Sequence, residues 1–92
     1  MSEEKTLVQN GSVQGELREF ISENFLYLQP EVELSDDDDL LALGIVDSLG
    51  FVELVEEVQE RFGIAVEDIE ITEENFGSID GIVAFVARKR AA

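Results

Sequence analysis

The sequence predicts a small all-helical bundle with three main helices and one or two short ones. Apolar residues recur at the three-to-four-residue spacing of a helix in three segments of the chain. Ser or Asp stands before each segment, and Pro or Gly follows the first two. The alternation typical of strands is nearly absent. With 92 residues and 45% hydrophobic content, the chain can build one modest core.

The first helix is predicted to run from a cap at Ser12 to about Leu28, with Pro30 just past its end. Its apolar residues follow helical spacing and define a core stripe. They are Val13, Leu17, Phe20, Ile21, Phe25 and Leu28.

Residues 29–46 form a long connection, which in a small domain is usually functional or packed down by its own apolar residues. Ser35 followed by four aspartates predicts the cap and acidic first turn of a short helix. Gly44 then interrupts the chain.

The second helix is predicted to run from Ser48 to about Phe62, with Asp47 as its cap and Gly63 just past its end. At about 100° per residue, its core face is an arc of bulky apolar side chains. They are Phe51, Leu54, Val55, Val58 and Phe62.

The rest of the chain is predicted to hold one short and one long helix. Residues 64–71 are predicted to be an extended connection, and Thr72 then caps one helical turn at 73–76. Ser78 caps a last helix at about 79–90, whose final turn carries three cations that suit the helix dipole. Residues 1–11 are predicted to be a loose tail before a single domain at 12–92.

The formal charge of −16 limits the kinds of partner that the protein can bind. It repels nucleic-acid phosphates and anionic lipid, and it favours partners with basic patches. No apolar run approaches membrane-spanning length, and the N-terminus lacks the features of a signal peptide. We therefore expect a cytoplasmic monomer that does not bind nucleic acid and does not insert stably into membranes.

The chemistry open to the chain is narrow, because it contains no Cys and no His. Ser48 at a helix start has no neighbouring base to activate it, so hydrolysis by this serine is not expected. A calcium loop starting at Asp36 would need an oxygen ligand at Leu40 and Glu at Asp47, so no metal site is expected. Two interpretations of Ser48 remain: part of a helix cap, or a site of covalent modification.

Two apolar residues of the second helix, Leu49 and Val52, lie off its core stripe beside Ser48 and among glutamates. Either the long connection covers them, or they form a small apolar docking spot with an acidic rim.

The stretch 40–49, followed by Val52-Glu53-Leu54, resembles the phosphopantetheine-attachment site of acyl and peptidyl carrier proteins. Phe62-Gly63-Ile64 and the segments 69–71 and 75–79 are also typical of that family. The resemblance covers residues 13–90. It implies a four-helix bundle of the acyl-carrier type, with three main helices, a short third helix and a long loop between the first two.

The resemblance also implies a function. Ser48 would carry 4′-phosphopantetheine, donated from coenzyme A by a phosphopantetheinyl transferase, and the thiol of the arm would hold acyl or aminoacyl thioesters. Asp47 would serve transferase recognition. Loading and condensing enzymes with basic patches would dock on the helix that follows, through Leu49, Val52, Glu53, Glu56 and Glu60. The chain would be a freestanding carrier with no catalytic residues of its own.

Three positions depart from carriers of primary fatty acid synthesis. Gly50 stands where those usually have an acid, Glu56 where they have a methionine, and Arg61 where an acid is common. The departures favour a carrier attached to a specialised pathway that handles polyketide, nonribosomal peptide, aminoacyl or unusual lipid intermediates. The alternative is an unmodified acidic interaction module that keeps the fold and acts by binding.

Overall fold

A computed structural model describes residues 12–91, and over this range it contains four α-helices and no strand. The helices are α1 (Val13–Asn24), α2 (Ser48–Phe62), α3 (Glu73–Phe76) and α4 (Ile79–Ala91), with a 3-10 turn at Asp68–Glu70. The predicted four-helix bundle is confirmed. The predicted tail at 1–11 and the last residue lie outside the described residues.

Sequence-predicted caps position three of the helices. Ser12 Oγ accepts the Gly15 N–H at 2.8 Å, Thr72 Oγ1 accepts the Asn75 N–H at 3.2 Å, and Ser78 Oγ accepts the Gly81 N–H at 3.0 Å. Each bond satisfies a backbone donor that the first turn of a helix cannot pair internally.

Helix α1 ends four residues earlier than predicted. The N–H groups of Phe25 and Leu26 both donate to the Ile21 carbonyl oxygen, at 2.8 and 3.2 Å. This turn brings Leu26 into the core and leaves Leu28, which was predicted to continue the core stripe, 76% exposed. Because the helix ends at Asn24, Leu26 can be buried in the core. Helical periodicity alone does not predict this outcome.

The predicted short helix after Ser35 is absent from the described chain, and a turn stands in its place. Ser35 donates its N–H to Asp38 Oδ2 at 2.8 Å, whereas a helix cap would accept through its side chain. Contacts with two helices hold the turn: Arg18 of α1 pairs with the Asp36 carboxylate at 2.6 Å, and the Asp80 N–H of α4 donates to the Asp36 carbonyl oxygen at 2.9 Å. These tertiary bonds compete with a local helix. The connection at 64–71, predicted to be extended, likewise includes the 3-10 turn.

Of the three long helices, α1 runs in one direction and α2 and α4 run in the other. Near one end of the bundle, Arg61 of α2 lies 3.6 Å from Glu16 in the first turns of α1, so these helices run antiparallel. Near the same end, Arg90 donates to the Phe62 carbonyl oxygen at 3.3 Å, so α4 runs parallel to α2. The core is made of buried side chains from all four helices and the long connection. They are Leu17, Ile21, Leu26, Leu34, Leu40, Ile45, Val46, Leu54, Val55, Val58, Phe62, Phe76, Ile79, Ile82, Phe85 and Val86.

Because of the contacts of Asp36, the stability of the folded protein depends on pH in the acid range. Hydrogen bonds from the Gln14 and Arg18 side chains hold the pKa of the Asp36 carboxyl below its ordinary value. The folded state therefore favours the ionised form. The resulting stability is fully present above the unfolded carboxyl's pKa and is lost as pH falls through the lowered folded pKa.

We therefore expect Asp36→Asn to be less stable than the wild type near neutral pH, with the two converging at strongly acid pH. Urea unfolding at a series of pH values measures this difference. Asp37→Asn is the matched control, because the neighbouring carboxylate makes none of the hydrogen bonds found among residues 12–91. A constant gap between Asp36→Asn and wild type across the acid range would contradict the prediction.

Candidate functional site

The segment before α2 is fixed to the bundle by backbone and carboxylate bonds. The Leu40 N–H donates to the Gly77 carbonyl oxygen at 2.8 Å, and the N–H groups of Ile45 and Val46 both donate to the Leu40 carbonyl oxygen. Gly44 has a φ of 73°, a left-handed conformation that favours glycine. Ile45 and Val46 are buried, so the chain reaches the first residue of α2 from an anchored position.

Asp47 caps α2, as predicted. Its Oδ1 accepts the Gly50 N–H at 2.8 Å, and its backbone is extended. At the other end of α2, Gly63 adopts a φ of 66° and ends the helix, also as predicted. The cap uses one carboxylate oxygen of Asp47. Among residues 12–91, Oδ2 has no hydrogen-bond partner.

Ser48 occupies the first position inside α2, one residue after the cap, and it is exposed. Ser12 and Ser78, which also stand at helix starts in the described part of the chain, use their hydroxyls as caps. Because Asp47 takes that role at α2, the Ser48 hydroxyl makes no hydrogen bond within the described range. The structure thus presents a free hydroxyl at the positive end of a helix dipole.

These features fit a phosphate ester on Ser48. The first backbone N–H groups of a helix point outward and lack intrahelical partners, so they suit an anionic phosphate. Asp47 has already taken the Gly50 N–H, and its negative charge weakens this attraction without blocking the hydroxyl. The exposed position leaves room for a long arm.

The predicted docking face is exposed throughout. Leu49 is 69% exposed and Val52 is 51% exposed, so the long connection does not cover them. Glu53, Glu56 and Glu60 are exposed as well. None of these three acids forms an ion pair within the described range, whereas the neighbouring Glu57 pairs with Arg61 at 2.7 Å. A face with two apolar side chains and three unpaired carboxylates therefore begins beside Ser48.

Phe25 and Gly50 form a contact that the sequence analysis did not identify. Gly50 is buried, and a Cβ built there would lie 2.8 Å from Phe25 Cε1. Gly50 is one of the three departures from carriers of primary fatty acid synthesis, and it is buried, unlike Leu49 and Val52 beside it. Helical spacing placed Phe25 on the core stripe of α1 and so indicated that its side chain packs inward. It did not indicate that Phe25 packs against Gly50.

The described residues contain no group of three or more acidic side chains placed to hold a metal ion. None of the helices formed by residues 12–91 has the length and apolar character needed to cross a membrane.

A helical bundle with a free serine hydroxyl at the start of its second long helix is the architecture of a carrier protein. Comparison with known families agrees: the family described as "Phosphopantetheine attachment site" matches residues 16–86. The chain belongs to this family. It is a carrier protein with a covalently attached 4′-phosphopantetheine, and carriers of this kind interact with a phosphopantetheinyl transferase and with loading enzymes.

Among curated proteins, the chain is similar to several D-alanyl carrier proteins. It is 35% identical to that of Streptococcus gordonii (strain Challis / ATCC 35105 / BCRC 15272 / CH1 / DL1 / V288) over 80 residues, which cover 87% of this chain and 98% of the relative. The identity and coverage are the same for the protein of Streptococcus thermophilus (strain ATCC BAA-491 / LMD-9). For that of Streptococcus suis (strain 98HAH33) the identity is 34% over 71 residues, covering 72% of this chain and 90% of the relative.

Proposed function

We propose that Ser48 holds the 4′-phosphopantetheine arm. The observation that carries this proposal is the position of its hydroxyl, exposed at the first residue of α2 and released from capping by Asp47. The arm supplies a thiol, which this Cys-free chain lacks. The chain also lacks His, so the base that removes the hydroxyl proton during attachment belongs to the transferase.

The proposed cargo is a small aminoacyl group held as a thioester. The names of the streptococcal relatives support this choice over fatty acyl or polyketide intermediates. The family match and the D-alanyl carrier relatives support a freestanding carrier that is not itself an enzyme. The cytoplasmic location stays a prediction.

Asp47 has two roles in this proposal. It caps α2 through Oδ1, which fixes the first turn on which Ser48 lies. Its second oxygen is free to serve transferase recognition. The two roles are compatible because they use different oxygens of one carboxylate.

The docking face comprises Leu49, Val52, Glu53, Glu56 and Glu60. Its carboxylates steer a partner with a basic patch, and its two apolar side chains give that partner a desolvated anchor. The face begins at Ser48, so a docked enzyme receives the arm near its point of attachment.

We expect the double variant Glu53→Lys/Glu56→Lys to be modified by the transferase roughly tenfold more slowly at low salt, because reversed charges remove electrostatic steering. The deficit should shrink as salt is added, since exposed charges are screened. Modification rates at several salt concentrations measure the effect.

The matched control is Glu19→Lys/Glu23→Lys on the exposed surface of α1, which changes the net charge by the same amount. The control should be modified at close to the wild-type rate. Equal slowing of both double variants would show that net charge, and not this face, governs the encounter.

Intact-mass measurement tests the proposed attachment directly. The apo protein is incubated with coenzyme A and a broad-specificity transferase, and the expected result is the gain of one phosphopantetheine. Fragmentation should then place the added mass on Ser48. No gain, or a gain on any other residue, would overturn the proposal, and the former result would favour an unmodified interaction module.

A further inference from the structure

The inner side of the first turn of α2 is closed by a phenylalanine from the connection after α1. Phe25 packs so near Gly50 that an added Cβ would lie 2.8 Å from its ring and 3.3 Å from Val46 Cγ1. Gly50 lies two residues from Ser48. The route from the serine into the bundle on this side is therefore filled by the Phe25 ring and by Val46.

A second ring, that of Phe51, packs against the core further along α2. Phe51 is partly buried one helical turn beyond Ser48, and its ring meets Phe76 of α3 edge-on at a centroid distance of 6.3 Å. Phe76 in turn meets Phe85 of α4 at 5.1 Å. This chain of three rings links α2, α3 and α4.

The interior behind these rings is packed. Phe76, Ile79 and Ile82 are fully buried. The described residues do form a cavity of about 380 Å³, but it is a groove lined mostly by acids, Asp37, Asp39, Glu73 and Glu74. A groove with these carboxylates does not suit an alkyl chain, because the acids would lose hydration without gaining a partner.

We infer that this carrier keeps its cargo outside the bundle, and that Phe25 and Phe51 are the residues that exclude alkyl chains from the core. The inference rests on the proposed attachment at Ser48 and deepens it. A short polar cargo such as an aminoacyl group loses nothing by staying in water, whereas a long acyl chain would remain exposed. The two rings would thus select for the cargo class proposed above.

The test compares arms that carry cargo of different length. The transferase loads the protein with acetyl or octanoyl pantetheine arms from the corresponding coenzyme A thioesters, and intact mass confirms loading. Melting temperature and the rate of thioester cleavage by hydroxylamine are then measured. For the wild type, we expect the same melting temperature and the same cleavage rate with both cargoes.

In Phe25→Ala and Phe51→Ala, the space left by the ring should admit the first methylene groups of octanoyl. Burial of two methylenes would slow cleavage of the octanoyl thioester roughly tenfold relative to acetyl. Tyr27→Ala is the matched control, since it removes an aromatic ring that is 65% exposed and closes no route. Phe51→Val gives a milder opening in case an alanine variant does not fold.

Each outcome decides a separate point. Absence of mass gain overturns the attachment proposal itself. If the wild type is loaded normally but protects its octanoyl thioester from cleavage, the attachment proposal stands. The inference that cargo stays outside the bundle is then overturned. Folded Phe25 and Phe51 variants that protect octanoyl no better than Tyr27→Ala would overturn the assignment of these two rings.

Discussion

The Ser48→Ala variant is expected to lose arm attachment completely while its free energy of unfolding stays within about 0.5 kcal/mol of the wild type. Attachment is lost because the nucleophilic oxygen is removed. Stability is kept because the hydroxyl is exposed and makes no hydrogen bond within residues 12–91, and because Asp47 continues to cap α2. Intact mass after incubation with coenzyme A and transferase measures the first effect, and urea unfolding of the apo protein measures the second.

Ser78→Ala is the matched control, and it is expected to lose stability while keeping arm attachment. The Ser78 hydroxyl accepts the Gly81 N–H at 3.0 Å and caps α4, so its loss should cost about 1 kcal/mol. Its attachment of the arm should be unchanged. A Ser48→Ala variant that unfolds as readily as Ser78→Ala would show that Ser48 has a structural role, and loss of mass gain in that variant would then no longer identify the attachment residue.

Helix α2 was predictable from sequence because its signals are local. Asp47 and Gly63 bound it, and each acts on backbone groups within four residues of itself. Helical periodicity applied between those bounds places Leu49 and Val52 off the core stripe beside Ser48, and the structure shows that the long connection leaves them exposed. Their placement agrees with the prediction, while their roles in attachment and docking stay predictions.

The connection between α1 and α2 was not predictable, because distant residues hold it. Ser35 and the aspartates after it have the local signature of a helix start. The Arg18 side chain and the Asp80 backbone instead bind Asp36, and the Gly77 carbonyl binds Leu40. Contacts between residues far apart in sequence do not affect the hydrophobic periodicity. Here they override the local preference for a helix, and the sequence pattern does not indicate this.

Gly50 shows the same limit at the site itself. In the sequence it stands out as a departure from carriers of primary fatty acid synthesis, which usually have an acid at this position. In the structure its missing side chain makes room for Phe25. Packing on the inner side of α2 therefore explains the glycine at position 50, and the exposed Leu49 and Val52 lie on the other side of the helix.

Helix α3 should depend on one side chain. A helix of four residues is far too short to be stable alone, so α3 must be held by packing. Phe76 is its buried anchor and contacts the rings of both Phe51 and Phe85. Phe76→Ala should therefore lower the free energy of unfolding by about 3–5 kcal/mol, the usual cost of removing a buried ring.

Ile69→Ala, in the connection that precedes α3, is the matched control for this prediction. Ile69 is 83% exposed, so its truncation should change stability by no more than about 0.5 kcal/mol. Urea unfolding of both apo variants separates the two cases. A cost below about 1 kcal/mol for Phe76→Ala would mean that the core collapses around the missing ring. It would also mean that the chain of rings that links α2, α3 and α4 can be rearranged, which would weaken the case that those rings keep cargo out.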